Sequence, residues 1–221
     1  MYRLGGAATN ADLVLQGWQD NGTNLYNTGS WGSVLGGDGM ECFIDWSDPN
    51  FMYAEYQNGE LHRSSDGGLS FDYILNTISE PGQWITPWQQ DPIDPMTIYA
   101  GFENVWKSTD RGDTWTAISS FNSSGLTCLV VAKSNPLYIY ASNGSSIYKT
   151  TDGGASWITL SGAPGSNTIT YIAVSESNPD KLWVTYSGYT ANSRIYKSND
   201  GGTTWLNISG NLPSIPVNCV V

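Results

Sequence analysis

The chain has 221 residues, of which 13% are charged; twenty are acidic and nine basic, for a net charge of -11. That balance repels a phosphate backbone and offers no basic stripe to neutralise it, so nucleic acid is not expected as a partner. No run approaches the roughly 18 consecutive apolar residues of a spanning helix, so no membrane insertion is expected, and Met1-Tyr2-Arg3 leads into polar sequence without the apolar core of a signal peptide.

In chain order, the first expected unit runs through Tyr2-Arg3-Leu4-Gly5, Leu13-Val14-Leu15-Gln16, Leu25-Tyr26-Asn27 and Trp31-Gly32-Ser33-Val34. The next two are marked by first turns at Asp48-Pro49 and Asp94-Pro95 and by third strands beginning at Leu61 and Val105. The fourth is the plainest. Leu126 to Val131 is a mostly apolar strand, Ser134-Asn135-Pro136 ends it, and Leu137 to Ala141 is the second strand. Asn143-Gly144 then signals a tight hairpin, Ile147 to Thr150 the third strand, and Trp157 to Leu160 the fourth. A fifth unit turns at Asn178-Pro179 and begins its third strand at Ile195, and residues 215–221 read as an orphan opening strand. Each unit is a four-stranded antiparallel meander.

Between third and fourth strands one phrase recurs: residues 64–71, 108–115, 150–157 and 198–205, each with its aspartate third, at Asp66, Asp110, Asp152 and Asp200. The spacings of 44, 42 and 48 residues are those of a supersecondary unit stacked on its own copies. Eight residues past each aspartate stands Ile74, Ile118, Leu160 or Ile208. The carboxylate can accept amides of its own turn, the glycine two residues on can take positive φ, and the aromatic three further packs over the hairpin. Four regularly spaced copies mark a structural role for these aspartates and not a catalytic one.

These residues resemble the Asp-box, or BNR repeat, of sialidases, sortilin-type receptors, family-74 xyloglucanases and the photosystem II assembly propeller. The resemblance implies an all-β fold, an Asp-box β-propeller with five four-stranded antiparallel blades in this chain, at about residues 1–36, 37–81, 82–125, 126–166 and 167–213 of a single domain. The five either close as a ring or form an arc of a larger propeller, and an open arc would self-associate. Gln19-Asp20-Asn21-Gly22-Thr23 and Gly36-Gly37-Asp38-Gly39, followed by Asp48-Pro49, are similar to sortilin-like or glycosyl-hydrolase-labelled propellers of secreted bacterial proteins. A secreted or cell-surface location follows from that resemblance, with the export signal outside this sequence.

In such folds ligands meet the face built by second-to-third-strand turns and blade-to-blade links. Asp20 belongs to the first class and Asp38 to the second. Gln19, Asn21, Tyr56, Gln57 and Asn58 are their expected neighbours, with Glu80, Trp84 and Trp88 at the next link. Gln19, Asp20, Asn21, Asp38, Tyr56 and Trp84 form the expected ligand-binding set, because carboxylates and amides interleaved with aromatics suit a sugar. The same Gln-Asp-Asn-Gly is also a good hairpin, and Gly-Gly-Asp-Gly also a flexible link.

Asp20, Asp38 and Glu41 are the candidates for the carboxylate pair of a glycosidase. The four arginines do not suit the arginine triad that the sialidase resemblance would imply, and the lone His62 stands where other blades carry Trp106, Tyr148 and Tyr196, which makes it a packing residue. No nucleotide loop, metal motif or cofactor is indicated. Cys42, Cys128 and Cys219 are read as buried free thiols. The expected function is non-catalytic binding of a polysaccharide or protein, with a xyloglucanase-like glycoside hydrolase as the alternative.

Overall fold

The computed structural model describes residues 3–220 except 122, 162, 163, 165 and 166; Met1 and Tyr2 of the first expected strand, and Val221 of the last, lie outside them. The chain divides into two compact units, Met1–Ala117 and Ile118–Val221.

Unit 1 contains three four-stranded antiparallel sheets, each with its strands in chain order. The first joins β1 (Arg3–Gly6), β2 (Leu13–Trp18), β3 (Gly22–Asn27) and β4 (Ser30–Leu35). The second joins β5 (Gly39–Ile44), β6 (Met52–Tyr56), β7 (Glu60–Ser64) and β8 (Asp72–Tyr73), with one 3-10 turn, Gln57–Gly59, between β6 and β7. The third joins β9 (Trp88–Gln90), β10 (Ile98–Gly101), β11 (Val105–Ser108) and β12 (Thr116–Ala117). Unit 2 contains β13 (Cys128–Val131), β14 (Ile139–Ser142), β15 (Ile147–Thr150) and β16 (Ile158–Thr159), then β17 (Ile169–Ser175), β18 (Asn178–Tyr186), β19 (Ile195–Ser198) and β20 (Leu206–Asn207). The fold is the all-β propeller fold, with five four-stranded blades among the described residues.

The recurrent box explains why the meanders take this register. Asp66 Oδ1 accepts the amides of Leu69 and Ser70 at 3.0 Å each, and Oδ2 accepts the Ser70 hydroxyl at 2.6 Å. Ser64 Oγ takes the Gly68 amide at 2.9 Å, so the turn is tied from both sides. The other three boxes repeat the pattern at Thr114, Ser156 and Thr204. These hydrogen bonds, led by those from Ser70, Ser156 and Thr204, pull the carboxyls of Asp66, Asp152 and Asp200 down to about 2.

Two of the residues standing eight past a box aspartate, Ile74 and Ile118, each do two things for the blade that follows. Ile74 packs beneath Gly112 of the next box, where an added Cβ would stand 2.7 Å from Ile74 Cδ1, and its carbonyl accepts the Trp115 indole N–H at 2.8 Å. In unit 2, Ile118 lies under Gly154 and accepts the Trp157 indole at 2.6 Å. The second and third boxes are therefore each read by their predecessor; at the fourth, Leu160 lies under Gly202 but the buried Trp205 indole N–H has no partner. Apolar cores fill the space between blades. Tyr53, Leu61, Ile74, Ile98, Phe102 and Trp115 belong to one core of unit 1, and Leu13, Leu15, Leu25, Cys42 and Met52 to another. Tyr140, Ile147, Ile172, Leu182, Val184 and Tyr186 belong to that of unit 2.

The structure corrects four expectations. Asn178 and Pro179 are not the first turn of their blade but lie inside β18; the next strand pairs only from Leu182 onward, so nothing on that side requires the N–H that proline lacks. The fourth strand expected from Trp157 to Leu160 shrinks to two residues, because Trp157 turns its indole to Ile118 and Leu160 bonds beyond the ladder to the Ile147 carbonyl. Residues 215–220 form no strand; Val217 donates its amide to the Tyr186 carbonyl and accepts from Thr170 Oγ1. Cys219, which follows it, is exposed, whereas Cys42 and Cys128 are buried free thiols.

Candidate functional site

Four loops of unit 1 meet at one edge of its first two blades. They are the β2–β3 turn at 18–22, the β4–β5 link at 36–39, the β6–β7 turn at 56–59, and residues 82–86 of the link into β9. Glycines let the backbones approach. A Cβ on Gly22, whose φ is +67, would stand 2.2 Å from the Leu35 carbonyl oxygen, and one on Gly39 would stand 2.2 Å from the Gly22 oxygen. Gly39→Ala must therefore move main chain, and we expect it to cost about 2–3 kcal/mol, read as a lower urea midpoint at unchanged slope. An unaltered midpoint would contradict this close approach.

Polar groups join the loops. The Asp20 amide donates to Asp38 Oδ1 at 2.6 Å, and the Asp38 amide donates to Gln57 Oε1 at 3.3 Å. Asn21 Nδ2 reaches the Gln19 carbonyl at 3.1 Å within the exposed turn. The Tyr56 ring lies under the link, so close that a Cβ on Gly37 would sit 3.0 Å from it. Likewise a Cβ on Gly82 would lie 2.5 Å from the Asn58 carbonyl oxygen, which brings the link carrying Trp84 against the 56–59 turn. Trp84 is 45% exposed and Trp18, at the head of the first turn, 38%.

Glu41 and a residue that sequence reasoning missed, Glu55, stand at this edge. Glu41 Oε2 receives Arg3 Nε at 2.6 Å, and burial pushes its carboxyl up against the pull of that guanidinium. Glu55 is wholly buried; its Oε1 accepts the Thr86 amide at 2.7 Å and its Oε2 the Glu41 amide at 3.3 Å. Burial raises its carboxyl well above the usual carboxylate range, outweighing the hydrogen bonds from Thr86, and the Glu41 charge adds to the rise. The available signal was comparative: the ladder partners Ala54–His62, Ala100–Trp106 and Ala141–Tyr148 set Glu55 level with Gly101 and Ser142, so one blade carries a carboxylate where two others carry small residues.

Other sequence candidates lie apart from this arrangement. Glu80 accepts the Asn104 amide, its side chain and the Trp106 indole at 2.8–3.0 Å, and so braces the β10–β11 turn. Trp88 is buried at 4% exposure in the core. His62 packs between Tyr56 and Tyr73, at ring separations of 4.7 and 5.6 Å, with burial holding its imidazole down. Arg3, Arg63 and Arg111 each end on a carboxylate, those of Glu41, Asp113 and Asp45. Among the described residues no group of three or more His, Cys, Asp or Glu side chains could hold a metal ion, and no helix is long and apolar enough to cross a membrane.

A xyloglucanase from Paenibacillus sp is 30% identical over 71% of this chain and 18% of its own length. Xyloglucanase Xgh74A of Acetivibrio thermocellus is 28% identical over 63% of this chain and 21% of its own. The chain thus spans less than a quarter of either relative. Among solved structures, an ancestral GH74 enzyme matches with a TM-score of 0.79 at 19% identity, over 97% of this chain and 32% of that one, which is a likeness of fold. The Sortilin-Vps10 family model, described as sortilin, neurotensin receptor 3, matches residues 103–216, just over half of the sequence. The chain belongs to the Sortilin-Vps10 family.

Proposed function

We propose that the chain is a non-catalytic recognition module, extracellular or at the cell surface, that binds polysaccharide along the edge formed by residues 18–22, 36–39, 56–59 and 82–86 of unit 1. The observation that carries the reading is how the carboxylates of Asp38, Glu41 and Glu55 are committed. Asp38 holds the Asp20 turn, Glu41 is paired with Arg3, and Glu55 is enclosed with both oxygens on backbone amides. A glycosidase needs one carboxyl to deliver a proton and a second to activate water or attack the sugar. Groups tied into loops and ion pairs are better suited to shaping a surface. Exposed Trp18 and Trp84 supply ring faces, and Gln19, Asp20 and Asn21 supply donors and acceptors for hydroxyls. The xyloglucanase relatives favour a β-glucan of the xyloglucan type.

The glycoside hydrolase reading, with Asp20 and Asp38 or Glu41 as the working pair, draws on the same relatives and is kept as the second reading. Binding is tested by titrating the chain with xyloglucan oligosaccharides in a calorimeter. Trp84→Ala is expected to weaken affinity about tenfold through the lost ring face. Asp38→Ala is expected to weaken it at least as much, by releasing the Asp20 turn. Undiminished affinity in both variants would move the binding surface elsewhere.

A further inference from the structure

Arg194, in unit 2 at the threshold of β19, is the largest fully enclosed side chain among the described residues, with no exposed surface. Its main chain is well held: the amide donates to Ser209 Oγ at 2.9 Å and the carbonyl accepts the Tyr186 amide at 2.9 Å. The guanidinium is not. Nη1 reaches only the Ser187 carbonyl, at 3.4 Å, while Nε and Nη2 have no hydrogen-bond partner. Unit 2 has four acidic residues, and each is engaged elsewhere. Asp152 and Asp200 close their own boxes, Glu176 pairs with Lys133, and Asp180 pairs with Lys149. A buried cation without a counter-ion is among the costliest things a fold can contain.

The two vacant nitrogens also have a shape. Nε–H and Nη2–H lie along one side of the guanidinium plane as parallel donors, the fork that receives a carboxylate through both oxygens. Tyr186 is opposite Arg194 across the β18–β19 pairing and so shares its face; its hydroxyl is likewise buried without a partner. Burial pushes that phenol up to about 12, so it stays protonated and supplies a further donor. The 187–193 loop leads directly to Arg194, with Tyr189 exposed near its tip, and is pinned by Asn167 Nδ2 on Thr190 Oγ1 and by Asn207 Nδ2 on the Asn192 carbonyl.

We propose that Arg194 anchors a carboxylate-binding site in unit 2, which receives a uronate sugar or a small organic acid on the Nε–Nη2 fork when the 187–193 loop parts. This site goes beyond the polysaccharide reading of unit 1 and shares no residue with it. The test is thermal unfolding and calorimetric titration of the 221-residue chain with glucuronate, acetate and, as the neutral control, glucose. Saturable stabilisation by glucuronate alone assigns the site to an acidic sugar, and stabilisation by acetate at similar concentration assigns it to a small acid. In either case a concentration about 100 times Kd raises the folded-to-unfolded ratio about 100-fold.

Arg194→Lys keeps the charge but loses the fork, and is expected to weaken binding at least about tenfold. Arg194→Met should abolish the response and, without ligand, melt no lower than the parent chain. Should that variant fail to fold, the parent and Arg194→Lys titrations decide alone. The proposal is overturned if neither carboxylate stabilises the parent chain saturably, if glucose acts equally, or if Arg194→Lys binds as tightly as the parent. Loss of this response leaves neutral-glycan binding by unit 1 standing, and the converse holds.

Discussion

Replacing Arg111 with glycine is expected to destabilise the protein by about 2–3 kcal/mol, although the substitution removes backbone strain. Arg111 sits at φ +58 in the second box, where the other three carry Gly67, Gly153 and Gly201 at φ between +68 and +75. A left-handed arginine costs about 1 kcal/mol relative to glycine. What it supplies is the partner of a buried charge. Arg111 Nε lies 3.0 Å from Oδ2 of Asp45, whose side chain has no exposed surface, and the guanidinium also lies over the Phe51 ring at 4.0 Å. Burial pushes the Asp45 carboxyl up, but hydrogen bonds from Ser47, Gln90 and Arg111 outweigh it and hold it below its ordinary value. Removing one partner of such a pair costs about 3–5 kcal/mol, from which the relieved strain is subtracted. Denaturant unfolding of the parent, Arg111→Gly and Arg111→Lys checks this, with the lysine variant intermediate. A glycine variant as stable as the parent would show that strain and ion pair cancel.

Glu55→Ala is expected to cost about 3 kcal/mol, because it leaves the buried amides of Glu41 and Thr86 without acceptors. The pH profile carries more information. A carboxyl whose folded value is raised contributes stability that is complete below its unfolded value, about 4.3, and is lost as pH rises through the folded value. The box aspartates act oppositely: their folded values near 2 give stability that is present above about pH 4 and lost as pH falls toward 2. Stability should therefore peak near pH 4–5. Glu55→Gln, neutral at every pH, should flatten the decline above that peak while leaving the acid limb intact. Urea midpoints between pH 2 and 8 measure both limbs, and an unaltered decline in Glu55→Gln would contradict the assignment.

The fold was legible because its grammar is local. Asp-box turns, Asn143-Gly144 and the Asp-Pro turns are short-range signals whose hydrogen bonds close within four residues. Even the eighth-residue rule could be seen, but its purpose could not. Nothing in Ile74 taken alone says that its carbonyl will receive the indole of Trp115, 41 residues later. The same limit applied to Asp45 and Asp91, which fold the first turns by accepting amides from Ser47 and Asp48, and from Ile93 and Asp94. The proline dipeptides do mark those turns, which close from the Asp48 and Asp94 carbonyls to the Phe51 and Thr97 amides, but they gave no sign of the aspartates three residues earlier.

At the candidate site, Asp20 and Asp38 could be named together because each lies in a glycine-marked loop, and the structure sets them 2.6 Å apart, amide to carboxylate. Glu55 was hidden by its setting, since a carboxylate inside an apolar strand reads as a surface position until its neighbours are known to be buried. Arg194 was equally hidden, since nothing around it in sequence separates it from a third-strand cation such as Lys149, which pairs with Asp180 of the next blade. The enclosure of Arg194 shows only in the structure, where its side chain has no exposed surface.

The most direct measurement of the central claim is to follow binding and bond cleavage in one sample. The chain is incubated with xyloglucan at a concentration that calorimetry shows to be saturating, and new reducing ends are counted over many hours alongside Asp20→Asn and Asp38→Asn. The account predicts saturable binding with reducing ends no more numerous than in polysaccharide alone. Release of reducing ends by the parent chain that disappears in either variant would contradict it and establish a hydrolase.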